Sequence, residues 1–473
     1  MEHNFNKTEL PSNPSPPDLA AVRDDYKIII SRALEAVLDR YEDNDNYPWV
    51  DTKLDILTGR DFPDDDIIRG KHTVYGWIQG RALESIAEHA KWLKNNTISC
   101  RPLIERCTKV VKKLSDRLIR TRKLNGGHCY FFMDEAGKAC SFDKDKRVYV
   151  NLTPDSPYNY SDIFCSKGLY AAACYLNDQS AQMQAKNYCI EVIDALLSGC
   201  FRSDQHRFEG DLCLPVNDND KISHGPVSIA IGIANVLFED NKDIDTARIA
   251  VSLIEHTLSN YVNLGQWNYL QEYDFVEFID ADYQPFNNCG SIFSDPGHAL
   301  EFAGLSLKFT EMARKVESVN KSFYKRLNYY REIMPEILFR NFENGFNPEA
   351  EGICKLWDLT NSRPANPDMP WWSLPETMRT AIYSVLTSSK DNFQNQALEI
   401  YSLCHNAFIN HYLKPELNFF CLQTRGTDKK PKEVIPATPD ADPCYHTGLC
   451  ILDCIRCVDK LAGQRQLASS ACE

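Results

Sequence analysis

Amphipathic helical segments recur along almost the whole of the 473-residue chain. Apolar residues fall three and four positions apart, the spacing that places them on one face of an α-helix. We predict about twelve helices, near residues 19–41, 73–93, 102–124, 160–176, 179–199, 226–238, 244–262, 297–315, 318–341, 375–388, 392–412 and 444–461. Taken in pairs they repeat roughly every 35–40 residues, a period typical of helical-hairpin architectures.

Six helical hairpins can stack as an open solenoid or close into a ring. An open solenoid needs a polar terminal repeat, but the last predicted helix is strongly apolar (Cys450, Ile451, Cys454, Ile455 and Val458). We therefore predict an all-α, single-domain (α/α)6 barrel, the catalytic domain, over residues 18–465, with the even-numbered helices as its inner ring.

The remaining segments are expected to lie outside this helical frame. Strand-like stretches at 128–133, 267–278 and 417–423 predict short β-hairpins at the mouth of the barrel. Residues 1–17, which are polar and proline-rich, are expected to be a disordered lead-in, and residues 466–473 a flexible tail.

Composition limits the partners and cofactors of this barrel. A formal charge of −14 repels nucleic acid and anionic lipid, and no apolar run approaches the roughly 20 residues of a membrane span. The 18 cysteines, without a signal-like N-terminus, predict reduced thiols and a cytoplasmic location. Phosphate-loop and hydrolase motifs are absent from the sequence, and Cys454 and Cys457 lack the second pair typical of zinc sites. We expect no metal, no nucleic acid and no membrane partner.

Unusual polar and aromatic residues collect at the starts of the even-numbered helices. They are Tyr75, Trp77, Gln79 and Arg81; Tyr158, Tyr160 and Asp162; His224 and Ser228; Pro296, His298 and Glu301; Trp371, Trp372 and Glu376; and Tyr445 and His446. If these helices run parallel in the inner ring, the residues share one mouth and line an aromatic pocket. Each has a structural alternative, such as capping or core packing, so the interpretation rests on their convergence.

Histidine at this mouth predicts acid–base chemistry, because its pKa lies near neutral pH. Glu301 follows His298 by three positions, so its carboxylate could accept the proton of one imidazole nitrogen and leave the other as a base. The spacing alone would equally allow Arg81 and Glu84 to form a helical surface pair.

Four segments carry a wider resemblance: Trp77-Ile-Gln-Gly-Arg81, Asp295-Pro-Gly-His-Ala-Leu-Glu301, Trp371-Trp-x-x-x-Glu376 and Cys444-Tyr-His446. In this order they resemble the landmarks of the N-acylglucosamine 2-epimerase family, which includes renin-binding proteins, cellobiose 2-epimerases, and mannose and sulfoquinovose isomerases. The resemblance implies an (α/α)6 barrel and a cofactor-independent isomerase that acts on a free reducing sugar of the mannose, glucose or N-acetylmannosamine type.

The resemblance also implies residue roles. His298 and His446 would transfer a proton at C2 through an enediolate, Arg81 would polarise the carbonyl group, and Glu301 would orient His298 or bind a sugar hydroxyl. The other expected contacts are Tyr75 and Trp372 beside the sugar ring, Glu376 on a hydroxyl, and Trp77, Gln79, Tyr160, Asp162, Trp371 and Tyr445 around them. A homodimer is expected by analogy only.

The sequence departs from the family in three places. Ser228 stands where some members have a further histidine, residues 287–295 contain no arginine, and Gly448 and Leu449 occupy positions where an arginine often follows the last histidine. These differences leave open the identity of the sugar, the choice between epimerase and isomerase, and the level of activity.

Two other functions remain open at this stage. An (α/α)6-barrel glycoside hydrolase would need two acidic residues beside a glycosidic bond, for which Asp162, Glu376 and Asp442 are candidates. An inactive barrel that binds a sugar or a protein is the second alternative.

Overall fold

The computed structural model describes residues 5–43, 47–55, 58–96, 100–143, 146–209, 212–215, 220–314, 316, 321–417, 420–421, 424–432 and 442–470. Its α-helices are α1 (Pro16–Glu42), α2 (Gly76–Asn96), α3 (Arg101–Leu124), α4 (Tyr160–Leu176), α5 (Gln179–Leu197), α6 (Gly225–Asn241), α7 (Ile244–Asn260), α8 (Pro296–Ala313), α9 (Lys321–Gly345), α10 (Ser373–Thr387), α11 (Asp391–Ala407) and α12 (Cys450–Ser470). Its strands are β1 (Val74–Tyr75), β2 (Phe132–Met133), β3 (Ala139–Asp143), β4 (Lys146–Tyr149), β5 (His206–Glu209), β6 (Leu212–Pro215), β7 (Ile222–Ser223), β8 (Phe278–Ile279), β9 (Phe293–Ser294), β10 (Phe346–Asn347), β11 (Gly352–Ile353), β12 (Leu356–Asp358), β13 (Arg363–Asn366), β14 (Met369–Pro370), β15 (Leu413–Lys414), β16 (Phe420–Cys421) and β17 (Thr424–Arg425).

The even-numbered helices form a closed inner ring. Each of α2, α4, α6, α8, α10 and α12 packs against the next, and the π-helical turn Tyr445–Leu449, directly before α12, packs back onto α2. Outer helices pack against the inner ring, and α1 lies against α12. The predicted all-α (α/α)6 barrel is therefore confirmed.

Burial separates inner from outer helices in the way their sequences require. Every residue of α10 is buried, whereas α3 buries only a stripe that recurs every three or four residues. A helix with a single apolar face lies at the surface, whereas α10, which contains Glu376 and Arg379 as well as apolar residues, is surrounded by other helices. None of the helices in the described part of the chain combines the length and apolarity needed to cross a bilayer.

The backbones of α2 and α4 touch where two glycines meet. A Cβ atom on Gly168 would lie 2.4 Å from the carbonyl oxygen of Gly80, and one on Gly80 would lie 2.5 Å from the carbonyl carbon of Phe164. This close approach narrows the ring on the side where α2 and α4 supply site residues.

Gly168→Ala is expected to destabilise the fold by about 1–3 kcal/mol, because the added methyl group must push α2 and α4 apart. Urea unfolding measures this change. Gly463→Ala on α12 is the matched control, since its Cβ meets no atom within 4 Å; it should be neutral or stabilising by up to about 1 kcal/mol. A Gly168→Ala protein as stable as the parent would contradict the close-packing argument.

Residues 5–17, which were predicted to belong to a disordered lead-in, make specific hydrogen bonds to the helices. The backbone N–H groups of Asn6 and Thr8 donate to the carboxylate of Asp25 at 3.0 and 2.8 Å, and that of Leu10 donates to Asn406 Oδ1 at 2.8 Å. These polar groups, on α1 and α11, hold a segment that has few apolar residues of its own. Residues 1–4 lie outside the described part of the chain. At the other end α12 continues to Ser470, and residues 471–473 are again outside it.

Short β-hairpins lie next to the starts of the inner helices, as predicted. Strands β1, β7, β9 and β14 directly precede α2, α6, α8 and α10. The expected segment 128–133 contributes β2, but of 267–278 only Phe278 lies in a strand, and of 417–423 only Phe420–Cys421 does, with 418, 419, 422 and 423 outside the described residues. Pairing of β7 with β8 brings the chain before Phe278 to the mouth of the barrel.

Candidate active site

A cavity of about 400 Å³ opens at the end of the barrel where the inner helices begin. Most of the predicted site residues line it: Trp77, Arg81, Tyr160, His298, Glu301, Trp371, Trp372, Tyr445 and His446. These residues come from five of the inner helices or from the turns directly before them. The predicted convergence at one mouth therefore holds for both histidines and for the arginine.

His298 lies in the first turn of α8 and is 25% exposed. Its Nδ1 lies 2.9 Å from Oε2 of Glu277 and 3.5 Å from Oδ2 of Asp295. Asp295 caps the helix by accepting the backbone N–H of His298 and also pairs with Lys355 at 2.5 Å. Burial favours a neutral imidazole, but the charges of Asp295 and Glu277 raise the pKa of His298 to about 9.

Of the two roles predicted for Glu301, that of orienting His298 is taken by Glu277, and binding of a sugar hydroxyl stays a prediction. Glu277 occupies the Nδ1 position, and it reaches the site from the segment before β8. Helical spacing reports only partners on the same helix, so it could not reveal a carboxylate from a preceding loop.

His446 lies in the π-helical turn before α12 and is 8% exposed. Its Nδ1 lies 2.8 Å from Oε1 of Glu376, whose other carboxylate oxygen pairs with Arg379. Burial, reinforced by the positive charge of Arg81, lowers the pKa of His446 to about 3. Glu376 does not line the cavity. Instead of the predicted contact with a sugar hydroxyl, it makes a hydrogen bond with Nδ1 of His446 and orients the imidazole.

Trp372 contacts both histidines. Its ring centroid lies 5.4 Å from that of His298 and 5.6 Å from that of His446, with both pairs tilted. Gly297, in the Pro-Gly-His segment, makes room for the indole, because a Cβ there would lie 2.7 Å from the Trp372 ring. The indole thus fixes both imidazoles relative to one another.

Arg81 lines the cavity with a positive charge that has no ion-pair partner among the described residues. Its guanidinium lies over the rings of Trp77, Phe164 and Tyr445 at 4.5, 4.4 and 5.0 Å. Among the described residues it has no ion pair, and its Nε has no hydrogen-bond partner. The alternative pairing with Glu84 is not formed, since Glu84 pairs with Lys167 at 3.0 Å.

Besides Glu376, three residues predicted to bind substrate do not line the cavity. Gln79 exchanges two hydrogen bonds of 2.9 Å with the backbone of Val50. Asp162 is fully buried and accepts hydrogen bonds from several groups, including the hydroxyl of Tyr188. Tyr75 packs in an apolar cluster beside the cavity. Both polar side chains lie near helix starts but hydrogen-bond to backbone groups of neighbouring segments, and there a structural and a functional residue look alike in sequence. Tyr158, His224 and Ser228 also lie off the cavity wall.

Sequence reasoning missed Glu277 and Lys355, which both line the cavity. Lys355 follows β11 and neutralises Asp295. No periodicity links these residues to His298, because they are brought to it by strand pairing and by a loop. The only available signal was the strand-like segment that ends at Phe278.

Among the described residues, two groups of side chains have the composition of metal ligands, with ligand atoms within 4.8 Å of one another: Glu277, Asp295 and His298, and Glu301, Glu376 and His446. Each group already contains a cation, Lys355 beside Asp295 and Arg379 beside Glu376. A metal ion would have to displace this charge and the Nδ1 hydrogen bonds. The two groups therefore fit acid–base pairs better than metal sites.

The acids considered for glycoside hydrolysis do not form a pair at the cavity. Asp162 is buried elsewhere, and Glu376 lies behind His446. Asp442 does line the cavity, but its two oxygens accept the backbone N–H groups of Tyr445 and Thr447, both at 2.7 Å. Asp442 thus caps the π-helical turn that carries His446.

Comparison with known proteins supports the fold. No protein-family model matches the chain, and no curated protein matches its sequence. Three solved structures share the architecture. Cellobiose 2-epimerase from Bacillus thermoamylovorans B4167 is 12% identical, with 92% of this chain and 99% of that chain covered and a TM-score of 0.63. A D-mannose isomerase is 14% identical, with 89% and 97% covered and a TM-score of 0.59. A possible member of the GH105 family from Salmonella enterica is 10% identical, with 93% and 95% covered and a TM-score of 0.51. At these identities the similarity shows that the chain folds as an (α/α)6 barrel. Its chemistry must be inferred from the residues of the site.

Proposed function

We propose that this protein is a carbohydrate isomerase that moves a proton at C2 of a free reducing sugar, as a 2-epimerase or an aldose–ketose isomerase. The observation that carries the proposal is the pair of histidines, His298 and His446, at one cavity. Each has its Nδ1 held by a carboxylate, and their pKa values are shifted in opposite directions. Such a divergence assigns one group as acid and the other as base. The shared fold with a cellobiose 2-epimerase and a D-mannose isomerase supports the same chemistry.

The reaction begins with an open-chain sugar, because the C2 hydrogen is acidic only when C1 is a carbonyl. His446 is neutral at neutral pH, and its Nδ1–H donates a hydrogen bond to Glu376. Its Nε2 is therefore available to accept the C2 proton. Negative charge then develops on the sugar oxygens, where the fixed charge of Arg81 stabilises an enediolate. His298 is protonated and supplies the returning proton. Return to the opposite face of C2 gives the epimer, and return to C1 gives the ketose.

Aromatic rings would hold the sugar between these groups. Trp77, Tyr160, Trp371, Trp372 and Tyr445 line the cavity and offer apolar faces to the C–H surfaces of a pyranose. Glu301, which has no hydrogen bond to any described residue, is available to a sugar hydroxyl.

NMR in D2O tests the proposal directly. The purified protein is incubated with mannose, glucose, N-acetylmannosamine, cellobiose and sulfoquinovose, and deuterium is followed at C1 and C2. We expect incorporation into at least one sugar, and the product separates an epimerase from an isomerase. Cleavage of cellobiose would instead identify a glycoside hydrolase. Binding without exchange on any sugar would indicate an inactive sugar-binding barrel and contradict the proposal.

The pH dependence of kcat/KM should report the protonated His298. Its pKa of about 9 means that the acid form is present at neutral pH and is lost above pH 9, so kcat/KM should fall there. Glu277→Gln removes one of the charges that raise this pKa and should move the alkaline limb to lower pH. Glu343→Gln, an exposed glutamate on α9, is the control and should leave the limb in place. An alkaline limb unchanged by Glu277→Gln would show that another group supplies the proton.

A further inference from the structure

A second, smaller chamber lies deeper along the axis of the barrel. Its volume is about 50 Å³, and it shares Ile229, Glu301 and Tyr445 with the cavity above it. Each inner helix contributes at least one charged side chain to its wall: Glu84, Lys167, Glu239, Lys308, Arg379 and Asp453. Glu301 therefore stands between the candidate active site and a buried, charged interior.

Asn235 and Arg379, which both line this chamber, carry buried polar atoms without a hydrogen-bond partner among the described residues. These atoms are Asn235 Oδ1 and Arg379 Nε. The amide of Asn235 is oriented by Nδ2, which donates to the carbonyl of Leu305 at 3.0 Å. Buried polar groups are almost always hydrogen-bonded to protein or to ordered water, and 50 Å³ exceeds the roughly 30 Å³ that one water occupies. We infer that the chamber holds one or two ordered waters.

The upper end of the chamber contacts the acid–base machinery. Glu301 is 8% exposed, and its carboxylate lies within 4.8 Å of both Glu376 and His446. No described residue donates a hydrogen bond to it. Burial, with the nearby charge of Glu376, raises the pKa of Glu301, so its carboxylate accepts a proton more readily than an exposed glutamate does.

The lower end of the chamber leads towards the opposite face of the barrel. Asp453 pairs with Lys308 at 2.9 Å and with Arg456 at 3.5 Å. Glu88 lies 3.8 Å from Arg456 and 3.7 Å from Lys91, whose side chain is 36% exposed. A series of charged side chains therefore extends from the chamber to solvent at the end of the barrel opposite the cavity.

We propose that Glu301 and the chamber water exchange the proton of His446 with solvent through the barrel axis, an inference that rests on the proposed function. The C2–H bond breaks as the imidazole of His446 gains that proton, which then passes to the carboxylate of Glu301. Glu301 gives a proton to the adjacent water, and that water gives one of its own to the next acceptor. The first transfer breaks the C2–H bond and forms an N–H bond; each later transfer breaks one N–H or O–H bond and forms an O–H bond, with no oxidation or reduction. The C2 proton is lost to solvent even while the sugar fills the mouth of the cavity.

Retention of a C2 label tests this route. A C2-deuterated substrate, chosen from the NMR screen, is converted in part in H2O, and mass spectrometry gives the fraction of the recovered, unconverted substrate that keeps deuterium. Deuterium that has moved to His446 returns to C2 of the substrate unless it first exchanges with solvent. Asn235→Leu removes the unpaired oxygen. Gly232→Ala narrows the chamber, since its Cβ would lie 3.0 Å from Lys167 Nζ, and changes no polar group. Both should raise the retained fraction about twofold or more with little change in kcat.

Thr310→Val is the matched control, because Thr310 is buried on an inner helix, bonds only to the backbone of Ser306 and lines neither cavity. It should leave retention at the parent value. Unchanged retention in folded Gly232→Ala and Asn235→Leu proteins would overturn the exchange route and leave the proposed function standing. A high-resolution structure without water in the chamber would also overturn it. Absence of any turnover by the parent protein would contradict the proposed function itself, and the exchange with it.

Discussion

Replacing His446 with glutamine is expected to lower kcat by about 10²–10⁴-fold, the usual contribution of a positioned acid or base. Glutamine can keep a hydrogen bond to Glu376, but it cannot take up a proton from carbon. The turnover of whichever sugar the NMR screen identifies provides the measurement, and circular dichroism shows whether the barrel is intact. His298→Gln should cause a loss of similar size, because it removes the proton donor.

The chain offers a closely matched control for this experiment. His411 also lies in a π-helical turn, Phe408–Tyr412, and also pairs with a glutamate, Glu351, at 2.5 Å. It does not line the cavity, so His411→Gln should leave kcat near the parent value. Near-normal turnover by His446→Gln would show that the assignment of the base is wrong.

Arg81→Met should lower kcat by about 10²–10³-fold, as expected when one fixed group that stabilises developing negative charge is removed. Methionine keeps the apolar stem packed against Trp77 and Phe164 but carries no charge. Because the enediolate is more negative than the substrate, the loss should appear mainly in kcat rather than in KM.

Arg122→Met is the control for Arg81, since Arg122 also lies over an aromatic ring, that of Tyr188 at 3.6 Å, but outside the cavity. Its effect should be confined to stability. If Arg81→Met raised KM and left kcat unchanged, Arg81 would contribute only to binding of the ground state.

The helical frame could be predicted from the sequence because its signals are local. Inner helices such as α10 are buried on every side, and outer helices such as α3 bury one stripe that recurs every three or four residues. The two histidines and Arg81 were also placed correctly at one mouth, since each lies at the start of an inner helix. Periodicity and helix order were sufficient for these conclusions.

The partners of the histidines could not be predicted, because they depend on tertiary packing. Glu277 contacts His298 from a different element. Glu376, which was expected to line the cavity, instead makes a hydrogen bond with Nδ1 of His446. Gln79 and Asp162 stand at helix starts, as site residues do, yet they satisfy neighbouring backbone groups. Residues 5–15 were misjudged for a related reason: Asp25 and Asn406 hold them by hydrogen bonds that leave no pattern in the sequence.

Closure of the ring between α2 and the turn before α12 has a consequence for how the protein acquires activity. Ser85 on α2 donates a hydrogen bond of 2.6 Å to the carbonyl of Pro443, 358 positions away in sequence, and Arg81 and His446 face the cavity from the two sides of this seam. Contacts between such distant segments form late, because a long loop must be closed first. A nascent chain on the ribosome could therefore build most of its helical hairpins and still be inert. Catalytic activity would appear only when the turn before α12 has left the ribosome and packed against α2. On refolding, recovery of activity should therefore lag behind recovery of helicity.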